Sequence, residues 1–123
     1  MLSRPTNANE EGYDWVSAEA HIAVGGFSGN TKLSVIASEM REFLVELETL
    51  YRDLKGQAKF VTIEDQIRIN VEIDRLGHVK VTGHLKDGAG FGNTLRFELA
   101  FDQTTLAHTI SELQGALQEL GAM

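Results

Sequence analysis

The sequence predicts an α+β domain. An antiparallel sheet of five or six strands carries two amphipathic helices on one face, in the order ββ-α-ββββ-α. Three observations predict it. Ile67 to Asp102 (IRINVEIDRLGHVKVTGHLKDGAGFGNTLRFELAFD) holds three runs that alternate apolar and polar residues, separated by turn formers. That is the pattern of half-buried antiparallel strands. Two further stretches place apolar residues at spacings of three and four, which only a helix gathers on one face. Each helix has one apolar stripe and the sheet one apolar face, so two layers close a single core.

The elements follow in order. Residues 1–12 are polar and contain the only proline, Pro5. They read as a disordered or loosely ordered leader, before a single domain over 13–123. From Val16 the apolar Val16, Ala18, Ala20, Ile22 and Val24 alternate with Ser17, Glu19, His21 and Ala23, a first strand. Gly25-Gly26 reads as a bulge and Gly29-Asn30 as a tight turn. A short second strand, Thr31 to Val35, then folds back. Ser38 is the expected N-cap of a helix from Ala37 to Leu54. Its Met40, Phe43, Leu44, Leu47, Leu50, Tyr51 and Leu54 share a face, and Gly56 is the expected C-cap. Ala58 to Ile63 is the next strand, and Glu64-Asp65-Gln66 its turn.

In the meander, Ile67, Ile69, Val71 and Ile73 face inward, and Arg68, Asn70, Glu72 and Asp74 outward. Asp74 to His78 is a compact turn with Gly77 at its left-handed position. Placing Asp74 opposite His78 pairs Ile73 with Val79, Val71 with Val81 and Ile69 with Gly83. Glu72 then meets Lys80 and Arg68 meets His84, and opposite charges across strands favour this register. Leu95, Phe97, Leu99 and Phe101 point inward from the last strand. With Leu85 opposite Leu95, Gly83 leaves room for the Phe97 ring. Asp102 or Thr104 caps the second helix. Leu106, Ile110, Leu113, Leu117 and Leu120 form its stripe, and Gly121 ends it. The outward sheet residues Arg68, Glu72, Lys80, His84, Arg96 and Glu98 are expected to be wet or partner-covered.

A chain of 123 residues buries enough surface to fold without staples. It has no cysteine, which removes disulfides, thiolate metal sites and cysteine nucleophiles. Its N-terminus lacks the apolar core of a secretory signal, and no apolar run approaches the ~20 residues of a membrane span. The expectation is a cytoplasmic protein with no membrane partner. Acids outnumber bases by 18 to 11, a net charge of −7. That argues against nucleic acid, which needs a basic surface, and suits a basic protein partner. The excess is uneven: residues 1–54 hold nine acids and four bases, while residues 55–102 hold seven of each. At ~100° per residue, Glu39, Glu42, Glu46 and Asp53 project onto one flank of the first helix. On the other flank Glu48 and Arg52 are spaced to pair. The acidic flank reads as a solvated helix face or, if the chain docks a basic partner, as the leading candidate for that surface.

Chemistry is harder to find. His21, His78, His84 and His108 have no metal-ligand spacing, and three pleat steps hold His78 and His84 roughly 20 Å apart. Asp74 and His78 could orient a general base, but no nucleophile accompanies them and turn chemistry explains both. Asp87 to Asn93 is glycine-rich, yet it joins two strands with G-x-G-x-G spacing. The phosphate-cradling fingerprint is G-x-G-x-x-G between strand and helix. No catalytic residue, metal ligand or cofactor is therefore assigned. Phe91, an aromatic on that hairpin tip, either tucks back over the core or serves as a second candidate contact residue.

Several short motifs carry a family resemblance. They are Gly26-Phe27-Ser28-Gly29 after the first strand, and the helix with Phe43, Leu44, Leu47 and Leu50. Gly56 with Ala58 and Asp74-x-x-Gly77-His78-Val79 follow. Last is Leu95-x-Phe97-x-Leu99-x-Phe101-Asp102-Gln103-Thr104, running into the last helix. Their order, from about Val16 to Leu120, resembles the WapI-like family of bacterial immunity proteins. The resemblance implies a non-enzymatic protein that binds and neutralises a toxin domain, and it carries no catalytic residues over. The competing reading is a small-ligand or regulatory binding domain, dimerising through the open sheet face.

Overall fold

The computed structural model describes residues 6–10, 13–88 and 91–120, with side chains for 15–62, 64–88 and 92–120. β1 (Thr6–Glu10), β2 (Tyr13–Val24) and β3 (Phe27–Ile36) precede α1 (Ala37–Asp53). β4 (Gln57–Val61), β5 (Ile67–Ile73), β6 (His78–Gly88) and β7 (Phe91–Asp102) precede α2 (Gln103–Glu119). The α+β class and the sequence of elements from β2 onward match expectation.

The single sheet does not. β1-β2-β3 form one antiparallel sheet and β4-β5-β6-β7 another. The cause is the β3–α1 junction. β3 runs without a turn into the helix: Ile36, buried and still extended at φ −99°, is the N-cap and offers no side-chain bond. Ser38 is thus inside the helix rather than capping it. The helix carries the chain away from β3, and the chain returns at β4, which pairs with β5. Alternation along a strand reports which face is buried; it does not report which strand lies alongside.

The first hairpin also differs. Val24 pairs with Phe27, so Gly25-Gly26 is the two-residue turn, with Gly25 at φ +59°. The Gly29-Asn30 pair lies within β3. β1, in the stretch with no apolar alternation, pairs along β2 from Thr6 opposite Ser17 to Glu10 opposite Tyr13.

From β5 to β7 the register is the expected one, Ile73 opposite Val79, Val71 opposite Val81, Ile69 opposite Gly83 and Leu85 opposite Leu95, with a shift between Lys86 and Gly88 at the end of the last hairpin. At Gly83 an added Cβ would collide with the carbonyl oxygen of Arg68 and lie 3.0 Å from Phe97 Cζ. The neighbouring backbone is therefore a tighter constraint than the ring.

One apolar core unites both sheets and both helices. Val16 and Val35 come from the first sheet, Ile69, Val71, Val79 and Val81 from the second, Leu47 and Leu50 from α1, and Leu106 and Leu117 from α2. Each such side chain contributes roughly 1.5–3 kcal/mol by leaving water. Asp102 caps α2, its Oδ1 accepting from the Thr105 N–H at 3.1 Å. α1 ends differently from expectation. Leu54, not Gly56, is its left-handed cap at φ +52°, its N–H bonding to Leu50 O. Among the described residues no helix is long and apolar enough to cross a membrane.

Candidate interaction surface

The acidic flank of α1 separates into two halves. Toward the N-terminus, Glu39 is half-buried and Glu42 exposed. Burial first, and the adjacent Glu42 charge second, push the Glu39 carboxyl above its usual range. Neither has a hydrogen-bond or ion-pair partner among the described residues. The other two carboxylates are engaged. Glu46 Oε1 accepts from the backbone N–H of Lys59 at 2.8 Å, fastening the helix to β4. Asp53 Oδ1 accepts from Arg52 Nε at 3.0 Å, and that bond chiefly holds its carboxyl below the usual range. On the other flank the expected Glu48–Arg52 pair does not form. Arg52 turns to Asp53, and Glu48 Oε2 instead accepts from Gln114 Nε2 of α2 at 2.8 Å. The free acidic flank is therefore Glu39 and Glu42.

Phe91 opens β7, its backbone opposite Gly88; its side chain lies outside the described residues. The hairpin around it is fastened by Asp87, whose two carboxylate oxygens accept from the Asn93 N–H at 2.7 Å and Asn93 Nδ2 at 3.0 Å. These bonds, the side-chain one foremost, lower the Asp87 carboxyl. Gly92, at φ +92°, leaves room for the same carboxylate.

Asp74 and His78 act as a turn clasp. Asp74 Oδ1 accepts from the Leu76 and His78 backbone N–H groups, each at 2.9 Å, and Oδ2 meets His78 Nδ1 at 3.0 Å. The His78 backbone bond is the largest reason the Asp74 carboxyl is lowered.

A charge cluster that the sequence did not reveal surrounds Asp65. Arg68 Nε lies 3.1 Å from Asp65 Oδ1, His84 Nε2 3.3 Å from the same oxygen, and Lys86 Nζ 3.8 Å from Oδ2. His84 Nε2 also meets the Asp65 carbonyl oxygen at 3.0 Å. His84, expected among the wet outward residues, is in fact buried beneath this turn. Burial works against the Asp65 charge, but the Arg68 bond and the His84, Arg68 and Lys86 charges outweigh it and lower the carboxyl. The sequence register already placed Arg68 opposite His84; what it did not carry was the fold of the turn that brings Asp65 onto both.

Exposed apolar side chains supply further contact candidates. Phe27, next to the Gly25-Gly26 turn, is 74% exposed, and Leu76, at the Asp74–His78 turn, is 81% exposed. Among the described residues no group of three or more potential metal ligands comes together.

These features give the molecule an acidic flank on α1 and a charge cluster around Asp65. The profile of the WapI-like immunity protein family matches residues 3–121. The chain belongs to that family. The match spans both sheets and both helices, so family membership covers the acidic flank, the Asp65 cluster and the meander alike. No curated protein matches the chain.

Proposed function

We propose that the chain is a non-enzymatic, cytoplasmic immunity protein. It neutralises a toxin by binding it, and the acidic flank of α1 faces a basic patch on the toxin domain. Membership of the WapI-like immunity family across residues 3–121 carries this reading. Glu39 and Glu42 support the choice of surface: they are adjacent, negatively charged and uncommitted, and their mutual repulsion is relieved by a cation. Complementary charge speeds encounter and excludes wrong partners. Phe91 is the proposed apolar contact beside it in function.

The test is co-expression with the toxin domain encoded next to the gene, scoring survival and direct binding. Protection and a stable complex are expected. Glu39→Gln with Glu42→Gln is expected to slow association about tenfold and to flatten its salt dependence, as rim charges do. Failure of the unaltered protein to protect or to bind would sink the reading.

A further inference from the structure

Among the described residues β7 pairs with β6 and with no other strand. Its far rim therefore offers backbone N–H and C=O groups to a further strand. The ladder fixes which ones. The Asp74 N–H donates to His78 O and the Lys86 N–H to Gln66 O, so the even-numbered residues of β6 from His78 to Lys86 turn their backbone groups toward β5. Alternation along an antiparallel strand then turns Val79, Val81, Gly83 and Leu85 toward β7. Their partners there are Phe101, Leu99, Phe97 and Leu95. Thr94, Arg96, Glu98 and Ala100 are left facing outward, and no described residue bonds to their backbone groups on that side.

This rim is complementary to itself. A second β7 running antiparallel must match outward-facing residues with outward-facing residues. Centring the pair on Arg96 sets Arg96 opposite its own copy, and centring it on Glu98 does the same for Glu98. Like charges directly opposite are unfavourable. Centring it on Phe97 sets Arg96 opposite Glu98 on both sides of the two-fold axis, with Thr94 opposite Ala100 and Leu95 opposite Leu99. Phe97 is also the midpoint of Thr94 to Ala100, so this register engages all the outward residues of that run. Arg96 is exposed and has no ion-pair partner among the described residues. Glu98 meets Lys80 at 3.6 Å with both side chains more than half exposed, so its carboxylate is open to a second cation. The apolar face points the same way. Ile67, Ile69, Val71 and Ile73 of β5, with a strand on each side, are buried. Leu95, Leu99 and Phe101 of β7 are only half-buried, because no strand covers their outer side.

We infer that β7 pairs with β7 of a second copy of this chain about a two-fold axis at Phe97, joining two four-stranded sheets into one of eight strands. A two-fold contact closes on itself, so the assembly stops at two copies. Each chain carries a net −7, but at the seam one Arg96 meets one Glu98 on either side and the charges cancel. Exposed charges further off are screened beyond about 8 Å at physiological salt. The pairing does not depend on the toxin reading.

Sedimentation velocity on the full chain over a concentration series tests it. The mass is expected to double as the concentration rises. Arg96→Glu and Glu98→Arg each set like charges opposite one another in both halves of the seam. Each alone is expected to weaken self-association by about tenfold or more, with an unchanged thermal melt because both side chains are exposed. An equimolar mixture of the two variants restores opposite charges at every position and is expected to recover the dimer, as is the double swap in one chain. A chain that stays monomeric at every concentration overturns the inference. So does a dimer that both single variants leave intact, or one that they weaken and that neither the mixture nor the double swap restores. Should a reversal unfold the chain, hydrogen exchange of the unaltered protein decides. The Arg96 and Glu98 amides are expected to exchange more slowly in concentrated than in dilute solution, and equal rates at both overturn the pairing.

Discussion

Two turns, one at each end of β5, do the same job by different means. The turn from Asp74 to His78 is built locally. Gly77 takes φ +84°, and one side chain, Asp74, gathers the amides of its own loop. The turn from Thr62 to Gln66 has no glycine, yet Glu64 and Asp65 both sit in the left-handed region, at φ +65° and +58°. Each costs roughly 1–2 kcal/mol relative to an ordinary conformation. What holds them is local in part and tertiary in part. The buried Thr62 Oγ1 accepts from the Ile67 N–H at 2.9 Å, and Thr62 O accepts from the Asp65 N–H at 2.9 Å. The buried Gln66 Nε2 reaches Thr31 Oγ1, Lys32 O and Lys86 O, each at 3.2 Å, tying the first sheet to the second. Arg68, His84 and Lys86 then surround the Asp65 carboxylate. A turn of the first kind holds itself; one of the second kind is held in part by the fold, and in return joins its parts.

The comparison can be broken in order of expected effect. Gln66→Ala removes a donor that reaches both β3 and β6 and strands its acceptors. Urea unfolding should show a loss of about 2–3 kcal/mol. Gly77→Ala should cost less, about 1–2 kcal/mol. Its Cβ would lie 2.6 Å from Gln103 Oε1, but that is the end of a flexible side chain that can move away. Glu64→Gly should stabilise by about 0.5 kcal/mol, the relief of strain being partly offset by the greater freedom of glycine when unfolded. A stability loss there would show that Glu64 is held by favourable contacts rather than against strain.

The smallest effect is electrostatic and separates the two carboxylates by cause. Both Asp65 and Asp74 are lowered. Each therefore adds stability that is present above the unfolded value of about 3.9 and is lost as pH falls through the lower folded value. Raising the salt to 1 M screens charges but leaves amide hydrogen bonds in place. Carboxyl titration by NMR should show Asp65, with three charges around it, drifting back toward its ordinary value further than Asp74.

The same contrast explains what was legible in the sequence. The Asp74–His78 turn and the β5–β6–β7 register could be read because their causes are local or periodic: a glycine at the bend, and apolar residues alternating along each strand. The expected Glu72–Lys80 charge pair nonetheless gives way to Lys80–Glu98. The Gln66 ties, the buried His84 and the division into two sheets could not, because each depends on residues about 20 to 35 positions away. β1 was hidden for another reason: Thr6–Glu10 has no apolar residue but Ala8 to alternate. On α1 the helical wheel placed four acids on one flank. It could not tell that Glu46 would meet a backbone amide of β4 and that Asp53 would meet Arg52, leaving Glu39 and Glu42 as the pair with no partner among the described residues.

Glu46 has a consequence of its own. β4 is the outermost strand of its sheet, and an outermost strand offers unpaired amides to any passing chain. The Lys59 N–H is one of those amides, and the Glu46 carboxylate occupies it. A foreign strand sliding along β4 would have to bring its carbonyl oxygen against a negative charge already in place. The contact that seats a helix thereby also closes one open amide on the rim of the sheet to a foreign strand.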